Sequence, residues 1–309
     1  MTDTTPDAAM EMEQADCPVV VRNLLRTFGK KTALDRVNLS VPKGAVFGLV
    51  GENGAGKTTL IRHLLGLLRP ESGRVRIFDM DPVEVPERVL ARIGYLSEDR
   101  DLPNWARISE LMRFTSSFYP TWDPVYAEEL REMLQLDPDA RVRNLSRGER
   151  AKAGLLIALA YRPELLILDE PSAGLDALVR RHILAAIIRT VADEGRTVIF
   201  SSHLLDEVER VADRIAMIDH GRIILSGPLD EVKAQHRLLT LQFAEPRKQL
   251  DLPGALFCEG TGRDWSVVSN GRLEELRAAL VELHAEVVEE RDPSLEEVFL
   301  ARVRTTQHP

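Results

Sequence analysis

Several features common in other classes of protein are scarce or missing in this sequence of 309 residues. Its only cysteines, Cys17 and Cys258, form no disulfide framework or metal cluster, which favours a reduced cytosolic setting. The longest apolar run, residues 153–161, is far shorter than the ~20 residues of a membrane-spanning helix. The N-terminus has no basic and then apolar export signal. We therefore expect neither a membrane span nor export.

Acidic residues outnumber basic ones, 49 to 40. The formal net charge is −9, and the sequence has no dense block of lysine or arginine. This balance argues against a nucleic-acid partner. Aromatic residues make up only 5% of the chain against 44% hydrophobic residues, a proportion that is ordinary for an α/β protein with ample core. We expect most of the aromatics between residues 99 and 161 to lie in that core, namely Trp105, Phe114, Phe118, Tyr119 and Trp122.

The hydrophobic pattern divides the chain into four parts. We expect a flexible acidic tail at residues 1–17, a main domain at 18–235 with a helical insert at about 99–161, a small α+β accessory domain at 237–303 and a short tail at 304–309. Strands alternate with helices in the main domain, which predicts an α/β fold with a mostly parallel sheet covered on both faces. Trp265 and Cys258 are expected in the core of the accessory domain.

The most informative stretch is GENGAGKTT at residues 51–59. It fits the phosphate-binding loop pattern G-x-x-x-x-G-K-[ST], with an apolar strand before it and an amphipathic helix after it. Glycines let backbone N–H groups curl round a phosphate, the helix directs its positive end at the same place, and lysine adds a full charge. The alternative is a simple glycine turn. We assign phosphate binding to the loop residues Gly51, Asn53, Gly54, Ala55, Gly56, Lys57, Thr58 and Thr59, with the Thr58 hydroxyl as a Mg²⁺ ligand.

A second apolar run, residues 165–168, ends in two carboxylates. Asp169, at the end of the predicted strand, can hold Mg²⁺ through a water molecule, and Glu170 can orient or deprotonate an attacking water. The alternative is a charged strand end before Pro171. Further upstream, Ser146 and Glu149 fit the S-x-x-E capping box of a helix that we expect to begin near residue 150, a purely structural interpretation.

These elements together resemble the ATP-binding-cassette (ABC) ATPases, and the resemblance covers roughly residues 18–235. The matching motifs, in the family's order and spacing, are GENGAGKTT at residues 51–59, GYLSE at 94–98, LSRGE at 145–149, LLILDEP at 165–171, SAGLD at 172–176 and SSH at 201–203. The chain is most similar to bacterial ATPase subunits that lack a membrane domain and end in a short extra module. Their fold combines a mostly parallel core, an N-terminal antiparallel β subdomain and a helical subdomain.

The resemblance implies further site residues. Phe28 corresponds to the aromatic residue that stacks on adenine, and Glu98 stands where the family usually has a glutamine that contacts Mg²⁺ and the attacking water. Ser146 and Gly148 correspond to signature residues that donate to the γ-phosphate, although Arg147 and Glu149 replace the usual glycine and glutamine. The D-loop residue is Asp176, and the switch histidine is His203. Lys57, Glu170 and His203 are thus the expected catalytic residues.

The resemblance also implies the assembly and the function. ATP and Mg²⁺ would lie between the phosphate loop of one subunit and the signature of another, in a homodimer or in a pair with a related ATPase subunit. The chain would power transport, with export favoured, through a separately encoded permease that docks around residues 99–144, and it would lie peripherally on the cytoplasmic face of the membrane. The alternatives are a soluble ABC ATPase in translation or DNA repair, and a kinase or GTPase. Translation factors of that kind have two cassettes, repair proteins have long coiled coils, and a kinase or GTPase lacks the LSRGE and SSH elements.

Overall fold

The computed structural model describes residues 16–192 and 195–307. The predicted acidic tail therefore lies almost wholly outside the described residues. The chain divides into two compact units, with the boundary between Ile223 and Ile224. This boundary comes earlier than the sequence predicted, because the short helix at Leu229–Gln235 packs on a strand of the second unit.

A sheet with the strand order β5-β6-β7-β3-β8-β9 forms the centre of the first unit, and its edge strand β9 begins in this unit and continues past the boundary at Ile223. Strands β5, β6, β7, β3 and β8 pair in parallel, as predicted. Every residue of β3, β6 and β7 is buried, which explains why these strands read as continuous apolar runs rather than alternating patterns. The strands are β3 Val46–Val50, β5 Ile93–Leu96, β6 Leu165–Asp169, β7 Thr197–Ser202, β8 Arg214–Asp219 and β9 Arg222–Pro228.

Helices connect these strands, and the first unit also contains a smaller antiparallel sheet of order β2-β1-β4. This sheet contains β1 Val19–Phe28, β2 Lys31–Val41 and β4 Ser72–Ile77. The connecting helices are α1 Lys57–Leu64, α2 Pro86–Leu90, α6 Ala177–Ala192 and α7 Leu205–Val211. The core between the two sheets is mainly aliphatic, with Leu60, Ile61 and Leu64 of α1 fully buried against strand residues.

The helical insert contains α3 Ile108–Ser116, α4 Pro124–Met133, a 3-10 turn at Val142–Asn144 and α5 Arg147–Leu159. Our prediction that most of its aromatics are core residues is wrong. Trp105, Phe114 and Phe118 are 63%, 49% and 64% exposed, and Tyr119 and Trp122 are only half-buried. Short helices bury a single stripe, and aliphatic residues occupy it, namely Ile108, Leu111, Ala127 and Leu130.

The second unit is a three-stranded antiparallel sheet of order β11-β10-β12 with helices packed on it. Its elements are α8 Leu229–Gln235, β10 His236–Arg247, β11 Ala255–Asn270, α9 Leu273–Glu282, β12 Ala285–Arg291 and α10 Leu295–Gln307. Trp265 is 6% exposed in its core and Cys258 packs against that core, as expected. Helix α10 continues to Gln307, so residues 304–307 are helical rather than a tail.

Candidate active site

The loop between strand β3 and helix α1 has the geometry of a phosphate cradle. Gly54 and Gly56 have φ angles of 82° and 120°, a region that side chains disfavour. A Cβ atom on Gly51 would lie 2.3 Å from the Ile218 carbonyl oxygen, so only glycine fits there. Among the described residues, none caps helix α1 with a side chain, and the first turn of α1 has no acidic residue. The leading N–H groups of α1 can therefore bind an anion.

Lys57 lies at the base of this cradle and is 5% exposed. Its ammonium group donates to the carbonyl oxygens of Gly51 at 2.6 Å and Glu52 at 3.2 Å. The same group lies 3.0 Å from Glu170 Oε1, and both side chains of this ion pair are buried. The loop backbone thus folds round the ammonium group and fixes a positive charge beside the first turn of α1.

Asp169 ends strand β6 and is 1% exposed. Its Oδ1 accepts a hydrogen bond of 2.7 Å from the Ser201 hydroxyl. Its Oδ2 is buried and has no hydrogen-bond partner among the described residues. Burial raises the pKa of Asp169, while the hydroxyl groups of Ser201 and Thr58 act in the opposite direction. An unsatisfied carboxylate oxygen close to a threonine hydroxyl suits a hard cation such as Mg²⁺.

Glu170 follows directly and links the two other predicted catalytic residues. Its Oε1 pairs with Lys57, and its Oε2 lies 2.7 Å from His203 Nδ1. The backbone N–H of Glu170 donates to Ser201 Oγ at 2.9 Å. The φ angle of Glu170 is 49°, a left-handed conformation that a side chain adopts only when its surroundings impose it. The structure therefore brings Lys57, Glu170 and His203 into one cluster.

A cavity of about 310 Å³ opens beside this cluster. Its lining includes the predicted catalytic residue Glu170 and most of the residues expected to bind nucleotide or metal, namely Phe28, Asn53, Gly54, Gly56, Lys57, Thr58, Thr59 and Glu98. The Phe28 ring is 46% exposed, with the Arg26 guanidinium 4.8 Å from its centroid, so it offers an aromatic surface at the cavity wall. The volume lies within the usual range for small-ligand sites.

The sequence did not single out three residues that the structure places in or beside this site. Ala33 and Lys31 line the cavity from strand β2, and no pattern in the sequence marks either of them. Ser201 bridges Asp169 and Glu170 although it was noted only as part of SSH. Ser201 pairs with Asp169 across adjacent parallel strands, so counting from the two strand ends could have found it.

Ser146, Gly148 and Asp176 lie outside this lining. Ser146 is exposed and caps α5 in the predicted capping box with Glu149, so the helix begins at Arg147, earlier than expected. Gly148 is buried, and a Cβ there would lie 2.9 Å from Val179 Cγ2, which explains the glycine. Asp176 is exposed and accepts from the N–H groups of Leu178 and Val179 at 3.0 Å each.

A buried parallel strand that leads into a glycine loop, beside a strand that ends in two carboxylates, defines the P-loop nucleoside triphosphatases. Residues 34–173 match the family model for ABC transporters. The daunorubicin/doxorubicin resistance ATP-binding protein DrrA of Streptomyces peucetius is 35% identical over 309 residues, with 93% of this chain and 91% of that protein covered. The chain belongs to the ABC transporter family and is an ATP-binding and ATP-hydrolysing subunit with the ABC-type P-loop fold.

Two further similarities agree with this assignment. The ABC transporter ATP-binding protein YtrB of Bacillus subtilis is 28% identical over 285 residues, with 92% of this chain and 97% of that protein covered. A solved ATP-binding subunit of an ABC transporter superposes with a TM-score of 0.65 at 27% identity, with 70% of this chain and 92% of that chain covered. Within the part of the chain that the structure describes, no helix has the length and apolar character needed to cross a bilayer.

Proposed function

We propose that the chain hydrolyses ATP at a site shared between two subunits, in a homodimer or in a pair with a related subunit. One observation carries this proposal. Lys57, Glu170 and Glu98 face one cavity, whereas Ser146 and Asp176 lie outside its lining and are exposed. A second subunit placed head to tail would bring its exposed Ser146 helix terminus to the γ-phosphate, where hydrogen-bond donors are needed on both sides.

Each residue of the cluster has a separate role in this proposal. The N–H groups of the loop and Lys57 hold the β- and γ-phosphates. Glu170 orients the attacking water and accepts its proton, while His203 holds the Glu170 carboxylate in place. Thr58, Asp169 and Glu98 would hold Mg²⁺, which neutralises charge that develops on the transferred phosphoryl group. The Phe28 ring stacks on the adenine base.

The Glu170 assignment is tested by Glu170→Gln, which keeps the shape of the side chain and removes its basicity. We expect ATP binding to persist and hydrolysis to fall by about 10²- to 10⁴-fold, the usual contribution of a general base. Glu164→Gln is the matched control. Glu164 lies just before strand β6, whereas Glu170 lies just after it, and Glu164 forms an ion pair with Arg92. Turnover of Glu170→Gln at the wild-type rate would show that the catalytic assignment is wrong.

We propose further that the helical insert docks on a separately encoded permease, and that the subunit therefore lies on the cytoplasmic face of the membrane. The exposed rings of Trp105 and Phe118 support this proposal, since large exposed apolar side chains mark interaction surfaces. The Phe114 and Phe118 rings also form an edge-to-face pair with centroids 5.0 Å apart. Drug resistance in the name of the DrrA relative supports export as the direction of transport.

Docking can be tested by co-purification of the tagged chain from detergent extracts with the membrane protein of the neighbouring reading frame. We expect the double variant Trp105→Ser and Phe118→Ser to lose the membrane protein and to keep ATP binding. Val281→Ser is the control, because Val281 is 76% exposed but belongs to the second unit. Undiminished recovery with the double variant would contradict docking through these rings, and co-sedimentation with ribosomes instead would favour the translation alternative.

A further inference from the structure

One buried arginine connects the two turns that carry Glu98 and Glu170. Arg100 is 4% exposed, although it lies only two residues after the exposed Glu98. Its N–H donates to Ser97, at 3.1 Å from both the carbonyl oxygen and the side-chain hydroxyl oxygen, which closes the turn containing Glu98. The φ angle of Arg100 is 52°, so its backbone is held in the left-handed region.

The guanidinium of Arg100 reaches across to the turn that follows Glu170. Its Nη2 lies 2.8 Å from the carbonyl oxygen of Ala173 and 3.4 Å from that of Pro171. The N–H of Ala173 donates in turn to the Glu170 carbonyl oxygen at 3.2 Å. Residues 170–173 thus form a β-turn with proline at its second position, a favourable place for that residue. Arg100 binds this turn through the carbonyl groups of Pro171 and Ala173.

The conformation of Glu170 requires such support. A left-handed φ at a residue with a side chain costs free energy and persists only where neighbouring groups fix the backbone. On the strand side, Ser201 accepts the Glu170 N–H. On the turn side, the Arg100 guanidinium donates to the carbonyl oxygens of Pro171 and Ala173. These two contacts hold Glu170 from opposite ends.

We propose that Arg100 is a positioning residue for hydrolysis, which fixes the 170–173 turn against the Glu98 turn and so keeps the Glu170 carboxylate where it can orient the attacking water. This inference rests on the proposed role of Glu170. A guanidinium suits the task because one planar group can donate to two carbonyl oxygens, which an ammonium group does with less geometric control. Burial, and then the charge of nearby Arg147, lower the pKa of Arg100, and Glu98 acts in the opposite direction.

The test compares Arg100→Met with Arg100→Lys. Methionine keeps most of the apolar stem of the side chain and removes every donor, whereas lysine restores a single charged donor. A small displacement of a catalytic group lowers the rate by up to about 10²-fold, so we expect kcat to fall by about 10- to 100-fold in Arg100→Met and KM for ATP to stay within about threefold. Arg100→Lys should recover part of kcat. Retained kcat in Arg100→Met would overturn the proposal.

Arg196→Met is the matched control for loss of a buried arginine. Arg196 is 8% exposed and directly precedes strand β7, at the end of the strand opposite to Ser201. We expect Arg196→Met to lower thermal stability and to leave kcat unchanged. An equal loss of kcat in both variants would mean that Arg100 acts only through general stability, which would refute a positioning role.

A double variant shows whether Arg100 acts through Glu170. In the Glu170→Gln background, Arg100→Met should cause no further loss of hydrolysis, because residues that act as one unit are not additive. If the two substitutions instead lowered the hydrolysis rate by independent factors that multiply in the double variant, the proposal would be contradicted. The two assignments can fail separately. Full activity in Glu170→Gln would show that the proposed catalytic role of Glu170 is wrong. Low activity in Glu170→Gln together with full activity in Arg100→Met would show that only the role of Arg100 is wrong. If Arg100→Met does not fold, Arg100→Lys supplies the same comparison.

Discussion

Ser201→Ala is the sharpest single test of how the site is held together. Ser201 is the penultimate residue of strand β7, beside β6, and is fully buried. Its hydroxyl donates to Asp169 Oδ1 at 2.7 Å and accepts from the Glu170 N–H at 2.9 Å. Alanine would therefore remove a partner from the expected Mg²⁺ ligand and from the expected catalytic residue, while it leaves the phosphate loop and Lys57 untouched.

The expected magnitude follows from these two contacts. A hydrogen bond to a charged group contributes about 1.5–3 kcal/mol, and a buried N–H that loses its partner costs about 1 kcal/mol or more. We therefore expect the free energy of unfolding to fall by about 3 kcal/mol. If about 2 kcal/mol of the lost free energy had stabilised the transition state of hydrolysis, kcat falls by about 30-fold. KM for ATP should change little, because the groups that bind the phosphates remain.

Steady-state ATP hydrolysis and urea unfolding of the same preparations give both quantities. Ser269→Ala is the control, because Ser269 is equally buried at 1% exposure but belongs to the second unit. We expect this control to keep the wild-type kcat. A Ser201→Ala variant with kcat within about twofold of wild type would refute the argument that this hydroxyl positions the two carboxylates, since 2 kcal/mol corresponds to a far larger change.

Two further predictions concern stability. The hydrogen-bonded Arg291 guanidinium is the largest cause that lowers the pKa of Glu297 from 4.5 to about 2. Because this pKa is depressed, the stabilisation is present above pH 4.5 and is lost as the pH falls towards 2. Glu297→Gln should thus lower the free energy of unfolding by about 1 kcal/mol at pH 7 and by less than half of that at pH 3, and Glu296→Gln should do neither. Equal losses at both pH values would contradict the assignment. Gly148→Ala should cost about 1 kcal/mol in urea unfolding, because overpacking against Val179 outweighs the gain in helix propensity. A more stable variant would contradict that packing argument.

The local parts of the site could be predicted from the sequence, because short segments determine them. The phosphate loop needs glycine at particular φ angles, and its lysine and threonine follow within a few residues. The residue types in this short segment therefore predict the local backbone conformation. Asp169 and Glu170 could also be predicted, since the sequence shows an apolar strand that ends in two carboxylates. The capping box of Ser146 and Glu149 likewise depends on one helical turn.

Contacts between distant segments could not be predicted in the same way. Ser201 meets Glu170 only because β6 and β7 are neighbours in the sheet, and Arg100 meets Ala173 only through the path of two loops. The prediction that the aromatic residues of the insert are buried failed for a related reason. Hydrophobicity alone did not show that aliphatic residues already fill the buried stripes, which leaves Trp105 and Phe118 exposed.

The central claim is that the site is completed by a second subunit, and a mixing experiment tests it most directly. Lys57→Met removes the phosphate-binding charge, and Ser146→Asp keeps a good helix cap but places a negative charge beside the γ-phosphate. Ser146→Asn is the matched control with a neutral cap. We predict that each disabled variant is nearly inactive alone and that their mixture regains ATP hydrolysis, because the mixed dimer contains one site with an intact Lys57 and an intact Ser146. A mixture no more active than the average of the two variants would contradict a site shared between two copies of this chain.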